Sequence, residues 1–216
     1  MKLVDQTRDG LVDYTCAQVA NLIPDGRADA VRAAIERHAD EALSRIGHCI
    51  DAVKMWRPGE FNHLHSSQYC QYLYYLANTI WRNERDAGAC TRLFLLNKAL
   101  NGVDLFYEIE MPAVFFLGHS VGVVFAKATY GNYLAVYQNS TVGRQGADAP
   151  VLGEGVLMYP NTAVIGRCRI GDGTVVSQGT SVINRDTPGR CYAFPDGKGG
   201  LTFAPAGPDA LGQIFR

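Results

Sequence analysis

The second half of the chain repeats every six residues. Val124, Tyr130, Val136 and Val142 are spaced by six, and after a gap of ten Leu152, Met158, Val164, Ile170, Val176 and Val182 are spaced by six again. Four residues past most of these stands a small or β-branched side chain: Ala128, Ser140, Val156, Thr162, Cys168, Thr174 and Thr180, with Leu134 the large exception. A period of six fits neither an α-helical stripe nor a sandwich, whose strands and turns vary in length. It predicts a parallel β-helix in which each hexapeptide makes one flat side of a triangular coil. The first residue of each repeat then packs inward, the fifth lies near a narrow corner, and coils stack at about 4.8 Å. The chain is 47% hydrophobic, so scattered matches mean little, whereas two long runs in register do not arise from composition alone. The gap of ten is one repeat plus four residues, which places an insertion within GRQGADAP, residues 143 to 150. Its Gly, Arg, Gln, Asp and Pro predict a surface loop, and loops leaving a rigid scaffold commonly carry function.

The first hundred residues have a different period. From Arg27 to about Val53, apolar residues recur at steps of three and four, an amphipathic helix closed before Pro58 and Gly59. Ser66 to Asn83 is also helical in period, with Ser66 or Ser67 as N-cap, and Ala87 to Asn101 predicts a further helix closed by Gly102. The expected class is therefore α+β: a helical N-terminal domain over 1–107, a β-helix over 108–194 with the inserted loop 143–150, and a Pro/Gly-rich C-terminal tail over 195–216.

Composition narrows the partners. With 20 basic and 21 acidic residues and a formal net charge of −1, the 216-residue chain shows neither a basic stripe nor an acidic block. This argues against nucleic acid or a membrane surface and for small neutral or mixed ligands. The six cysteines form no CxxC or zinc-finger spacing and are expected to be reduced thiols. No apolar leader opens the sequence and no apolar run approaches about 18 residues, so a cytoplasmic protein is expected.

One histidine stands in the repeat region. His119, in EMPAVFFLGHSVGVVFAKATYG, has no charged residue within seven positions on either side. Counting back six from Val124 makes residue 118 an inward position, so His119 is expected to point out of the coil. An imidazole ordinarily titrates near pH ~6.5 and suits proton abstraction from a hydroxyl at neutral pH. His63 and His65, in FNHLHSSQY, alternate on one side of an extended segment, but two such residues do not make a metal site. Tyr69, Tyr72, Tyr74, Tyr75 and Trp81 are expected to be helix packing.

Together, GHSVGVVF, YQNSTVGRQG, the loop and VLGEGVLMYPNTAVIGRCRIGDGTVVSQGTSVINRD resemble the serine acetyltransferase-like branch of the left-handed β-helix acyltransferases. The resemblance is clearest over 108–194, and YLYYLANTIWRN and LFLLNKALNGVDLFYEIEMP fit the helical lead-in of such proteins. It implies a left-handed coil and a homotrimer, with the helical region sometimes joining two trimers. It also implies acetyl-CoA as co-substrate in a groove between coil stacks, direct transfer to a small hydroxyl acceptor, and no metal.

His119 would be the general base. The family places an aspartate directly before that histidine, but here the position is Gly118. Glu108 best matches the acidic residue that precedes the family's first coil, and Glu110 is the alternative, either orienting the base or touching the acceptor. A second family histidine, which follows an arginine and helps to bind serine, is replaced by Asp148, Ala149 and Pro150. Acetyl transfer is thus better supported than serine as acceptor, and a sugar hydroxyl of a surface glycan is the alternative.

For the donor, Thr141 and Gly143 are expected beside the thioester, where backbone amides suit a developing oxyanion. Ser177, Gly179 and Lys198 are expected along the pantetheine and phosphates. The DGKGG around Lys198 lacks the spacing of a P-loop. His65 is the residue expected to reach an acceptor pocket walled by the helical domain. Two other readings compete. A zinc carbonic anhydrase on the same fold needs three histidines, against one in these coils, and a non-catalytic trimeric scaffold would leave His119 dispensable.

Overall fold

The computed structural model describes residues 1–207 and 210–216. Among these residues the chain forms α1 (Arg8–Leu22), α2 (Ala28–Ala52), α3 (Ser66–Glu84) and α4 (Ala87–Asn101), followed by short parallel strands in about five coils. The sequence reading anticipates α2, α3 and α4 but not α1. That helix, opening at Arg8, carries no apolar stripe for a period to reveal, and its start is held by Thr7, whose hydroxyl accepts from the Gly10 amide at 3.0 Å. The N-cap of α3 is His65 and not Ser66 or Ser67, and no side chain caps it. The turn before it is set instead by Asn62, which accepts from the Leu64 amide at 2.9 Å.

Helix α3 lies between α2, α4 and the coil strand Phe115–Gly118, and every residue from Gln68 to Ile80 is buried; the coil itself starts earlier, at Asp104–Leu105, which pairs in parallel with Val124–Phe125. Its polar side chains fasten the helical domain to the entry of the coil. Gln71 donates to the Phe115 carbonyl at 2.9 Å and Asn78 to the Tyr107 carbonyl at 2.8 Å. The Tyr74 hydroxyl donates to the Ile109 carbonyl at 2.6 Å and accepts from the Met111 amide at 3.0 Å. These buried polar groups are thereby satisfied, the Tyr72 hydroxyl on the same helix is not, and the apolar bodies of Tyr72, Tyr75 and Phe115 fill one core that continues into the coil.

The coil has three faces. Leu117, Val136, Met158, Val176 and Ala193 stack inward on the first. Phe125, Val142, Val164 and Val182 do so on the second, and Tyr130, Leu152 and Ile170 on the third. The corner residues Ser140, Thr162, Thr174 and Thr180 are buried, as the repeat requires. The hydroxyls of Ser140 and Thr162 bond one another at 3.0 Å.

The sixfold count fails in the first coil. The inward residues there are Leu117 and Phe125, not 118 and Val124, and Val124 is 40% exposed. Two extra residues sit in the corner between them, accommodated by left-handed backbone at His119 (φ 55°) and Gly122 (φ 75°). A fixed period cannot show a corner that bulges.

Residues 195–216 are also more than a tail. Leu201–Pro205 returns antiparallel on Cys191–Pro195, and Ile214 and Phe215 are buried beside the end of α2. Pro208 and Asp209, part of the expected tail, lie outside the described residues.

Candidate functional site

The neighbourhood of His119 is determined by the strand before it. Leu117 fills the coil, so Gly118 faces outward and pairs in register with Tyr137 of the next coil. The Tyr137 ring crosses Gly118 so closely that a Cβ there would lie 2.5 Å from Cε1 and 2.6 Å from Cδ1. A side chain at 118 would have to shift the Tyr137 ring, which occupies its space.

His119 follows in left-handed conformation and is exposed. That conformation is uncommon for a residue with a Cβ and persists where the surroundings enforce it. Ser120 donates to the Asn101 carbonyl at 2.9 Å, and the Gly122 amide to the Gly102 carbonyl at 2.9 Å, which pins the corner to the end of α4. His119 is exposed as expected, but the register behind the expectation was off by one, since Leu117 and not residue 118 packs inward.

Among the described residues, no side chain is hydrogen-bonded to the His119 imidazole. Glu108 is half-buried and ion-paired with Lys127. Glu110 is exposed, between two residues tied by Tyr74, and its charge is felt by Arg45, which lines a separate cavity of about 350 Å³ with His48 and Arg82. Gln138 was not singled out from the sequence. It follows Tyr137, one coil along from His119, and its Oε1 is buried with no hydrogen-bond partner. Its place in the quoted YQNSTVG run was the available signal.

The residues expected on the donor side fall on two adjoining surfaces. Asn139, Asn161 and Gly179 succeed one another along a prism edge, each left-handed, and that edge starts at the His119 corner. Gly179 lies three coils from it, about 14 Å at the usual strand spacing. Ser177 stands two residues before Gly179 on the face that carries Gly118 and Tyr137. Lys198 is exposed at the tip of the hairpin that extends the same sheet, its amide bonded to Asp196 at 2.7 Å. The structure thus brings His119, Ser177, Gly179 and Lys198 to one edge.

Thr141 and Gly143 lie on the next face, with Gly143 at the far end of its strand, where a Cβ would meet Ile165 Cγ1 at 3.2 Å. The inserted loop leaves there and closes on itself through paired bonds between Gln145 and Asp148, at 3.0 and 3.1 Å.

A chain of aromatic contacts leads from Gly118 to the helical domain. Tyr137 meets Phe116 edge-on at 6.1 Å, Phe116 meets Trp56 at 5.6 Å, and Trp56 meets His65 at 5.9 Å. Trp56 and His65 border a cavity of about 280 Å³ that also includes Arg57, Glu60 and Asn62. His63 turns elsewhere, against Tyr14 at 5.0 Å.

All six cysteines are unpaired and buried. Burial pushes the thiol of Cys49 up to about 11 and those of Cys70 and Cys90 up to about 12, which withholds the thiolate form from nucleophilic chemistry. No helix among the described residues is long and apolar enough to cross a membrane.

No family model matches the chain. A curated protein of Schizosaccharomyces pombe, provisionally named a serine acetyltransferase, is 26% identical over 123 residues. That match covers 55% of this chain and 45% of the relative, so the chain corresponds to less than half the relative's length.

Solved structures of serine acetyltransferases share the fold over most of the chain. That of Vibrio cholerae is 17% identical, with a TM-score of 0.71 over 96% of this chain and 84% of its own. That of Neisseria gonorrhoeae, in complex with serine, is 16% identical, with a TM-score of 0.69 over 94% and 84%. Isoform 3 of Entamoeba histolytica, in complex with cysteine, is 19% identical, with a TM-score of 0.63 over 86% and 70%.

Proposed function

We propose that the chain is an acetyl-CoA-dependent O-acyltransferase whose general base is His119. The observation that carries the reading is the placement of the one coil histidine: exposed, left-handed and pinned at the head of an edge that also carries Ser177, Gly179 and Lys198. The acceptor oxygen attacks the thioester carbonyl as its proton passes to the imidazole. The tetrahedral centre then collapses, the C–S bond breaks, and the imidazolium returns the proton to the leaving thiolate of CoA. Transfer is direct, consistent with the buried cysteines, which provide no acyl-accepting thiolate.

Thr141 and Gly143 serve the thioester end, and Ser177, Gly179 and Lys198 the pantetheine and phosphates. Glu108 is the acid the resemblance implies, although its pair with Lys127 holds it past the opposite end of the Val124–Phe125 strand from His119. Gln138, with a free buried oxygen one coil along, is the second candidate to orient the base. The acceptor enters from the cavity walled by Trp56 and His65, and Glu110, near Arg45 of the separate cavity, is the alternative acceptor contact. The working assembly is a cytoplasmic homotrimer or a dimer of trimers.

Serine complexes are known for a structural neighbour; in the loop here Asp148, Ala149 and Pro150 supply no cation for an amino-acid carboxylate, and Arg144 is the one cation the loop carries. The acceptor is therefore a hydroxyl compound of the amino-acid or sugar class. Calorimetry with acetyl-CoA and CoA, followed by a thiol-release screen of hydroxyl compounds, tests this. Micromolar CoA binding and turnover with a hydroxyl acceptor are expected, and His119→Ala should cost about 10²–10⁴-fold in rate. Full activity in that variant removes the base, absence of CoA binding leaves the scaffold reading, and turnover confined to serine contradicts the argument from the loop.

A further inference from the structure

We infer that Arg216 is a positioning residue that holds Trp56 as a wall of the acceptor cavity; the inference rests on the transferase reading above. Segment 210–216 crosses from the coil to the end of α2, where the Lys54 amide donates to the Ile214 carbonyl at 2.7 Å and the Arg216 amide to the Ala52 carbonyl at 2.9 Å. Ile214 and Phe215 are buried there, and Lys54 Nζ reaches back to the Gly212 carbonyl at 2.7 Å.

The Arg216 guanidinium then donates to four backbone carbonyls. One terminal nitrogen bonds those of Asp51 at 2.9 Å and Val53 at 2.5 Å, and the other bonds those of Lys54 at 3.2 Å and Trp56 at 2.6 Å. Asp51 lies in the last turn of α2 and Val53 caps it, where carbonyls lack helical partners and carry the negative end of the dipole, and the planar fork reaches on to Lys54 and Trp56 beyond the helix. The segment after α2 is otherwise tied mainly beyond Trp56: the Trp56 amide bonds the Val53 carbonyl at 3.2 Å, the Gly59 amide donates to Asp51 Oδ1 at 2.7 Å and the Glu60 amide to the Arg57 carbonyl at 3.2 Å, so that among the described residues Arg216 is the one side chain bonded to the Trp56 backbone.

What this segment carries is the Trp56 ring, 4% exposed and edge-on to both Phe116 and His65. Removing the guanidinium releases four carbonyls at once and loosens that ring while leaving the CoA edge untouched. The acceptor side alone should feel the change.

The chain has two tryptophans, so Trp81→Phe leaves Trp56 as the sole indole fluorophore. In that background, acrylamide quenching should rise about two- to threefold in Arg216→Ala and less in Arg216→Lys, which keeps the charge but loses the planar fork. The acceptor KM should rise about 5- to 10-fold in Arg216→Ala while the acetyl-CoA KM and kcat stay within about twofold. Unchanged quenching overturns the latch, and looser Trp56 with an unchanged acceptor KM overturns its positioning role. Equal losses for both substrates also overturn it, as general destabilisation. If Arg216→Ala does not fold, the Lys variant decides by the same two readouts. A wild-type protein that releases no CoA refutes the proposed reaction, and the quenching result still decides the latch.

Discussion

A side chain at position 118 would have to displace the ring of Tyr137. From the sequence alone Gly118 reads as a missing aspartate, a local loss beside the base. In the fold it is one half of a packing pair whose other half stands a full coil away. Gly118→Asp is therefore expected to destabilise the protein by about 1–3 kcal/mol, the usual cost of overpacking. In urea unfolding, Tyr137→Ala should relieve most of that penalty when combined with it, and a strictly additive double variant would contradict the pairing. His119 was legible as an outward-facing candidate. Its left-handed backbone was not, because nothing in GHSVG distinguishes a flat coil side from a corner with two extra residues.

At the scale of elements, helical period located α2, α3 and α4, and the ion pairs between helices became visible only once they were packed. Glu84, at the end of α3, accepts from Arg37 of α2 at 2.7 and 2.8 Å and bonds His38 at 2.9 Å. Arg37 first and His38 second hold its carboxyl down to about 2. Because the folded value lies below the unfolded one of about 4.3, the stabilisation is full above about pH 5 and is lost as the pH falls through about 2. The pair is partly exposed, so Glu84→Gln should cost only about 1 kcal/mol at neutral pH. Chemical denaturation from pH 7 to pH 2 should show the gap from wild type closing on the acid side. A gap that widened there would contradict the assignment.

In the whole molecule, the helical domain and the coil share one core, and Phe115 lies at the seam. It is fully buried against Tyr74 and Tyr75, and its carbonyl accepts from Cys49 and Gln71. Phe115→Ala is expected to cost about 3–5 kcal/mol. Far-ultraviolet and tryptophan signals should still move in a single transition, whereas two separated transitions would show that the two parts unfold independently.

The six-residue period by itself determined the β-helix, since only a coil with three flat sides returns an inward position at that interval over so long a run. The helical period determined the lead-in, and the lone coil histidine drew attention to the candidate base. Tertiary structure alone decided the rest: the corner bulge that carries His119, the ring that occupies the side-chain space at 118, the free oxygen of Gln138, and the return of Arg216 to α2. Each depends on residues far apart in the chain meeting at van der Waals or hydrogen-bond distance, and a one-dimensional period carries no record of such meetings.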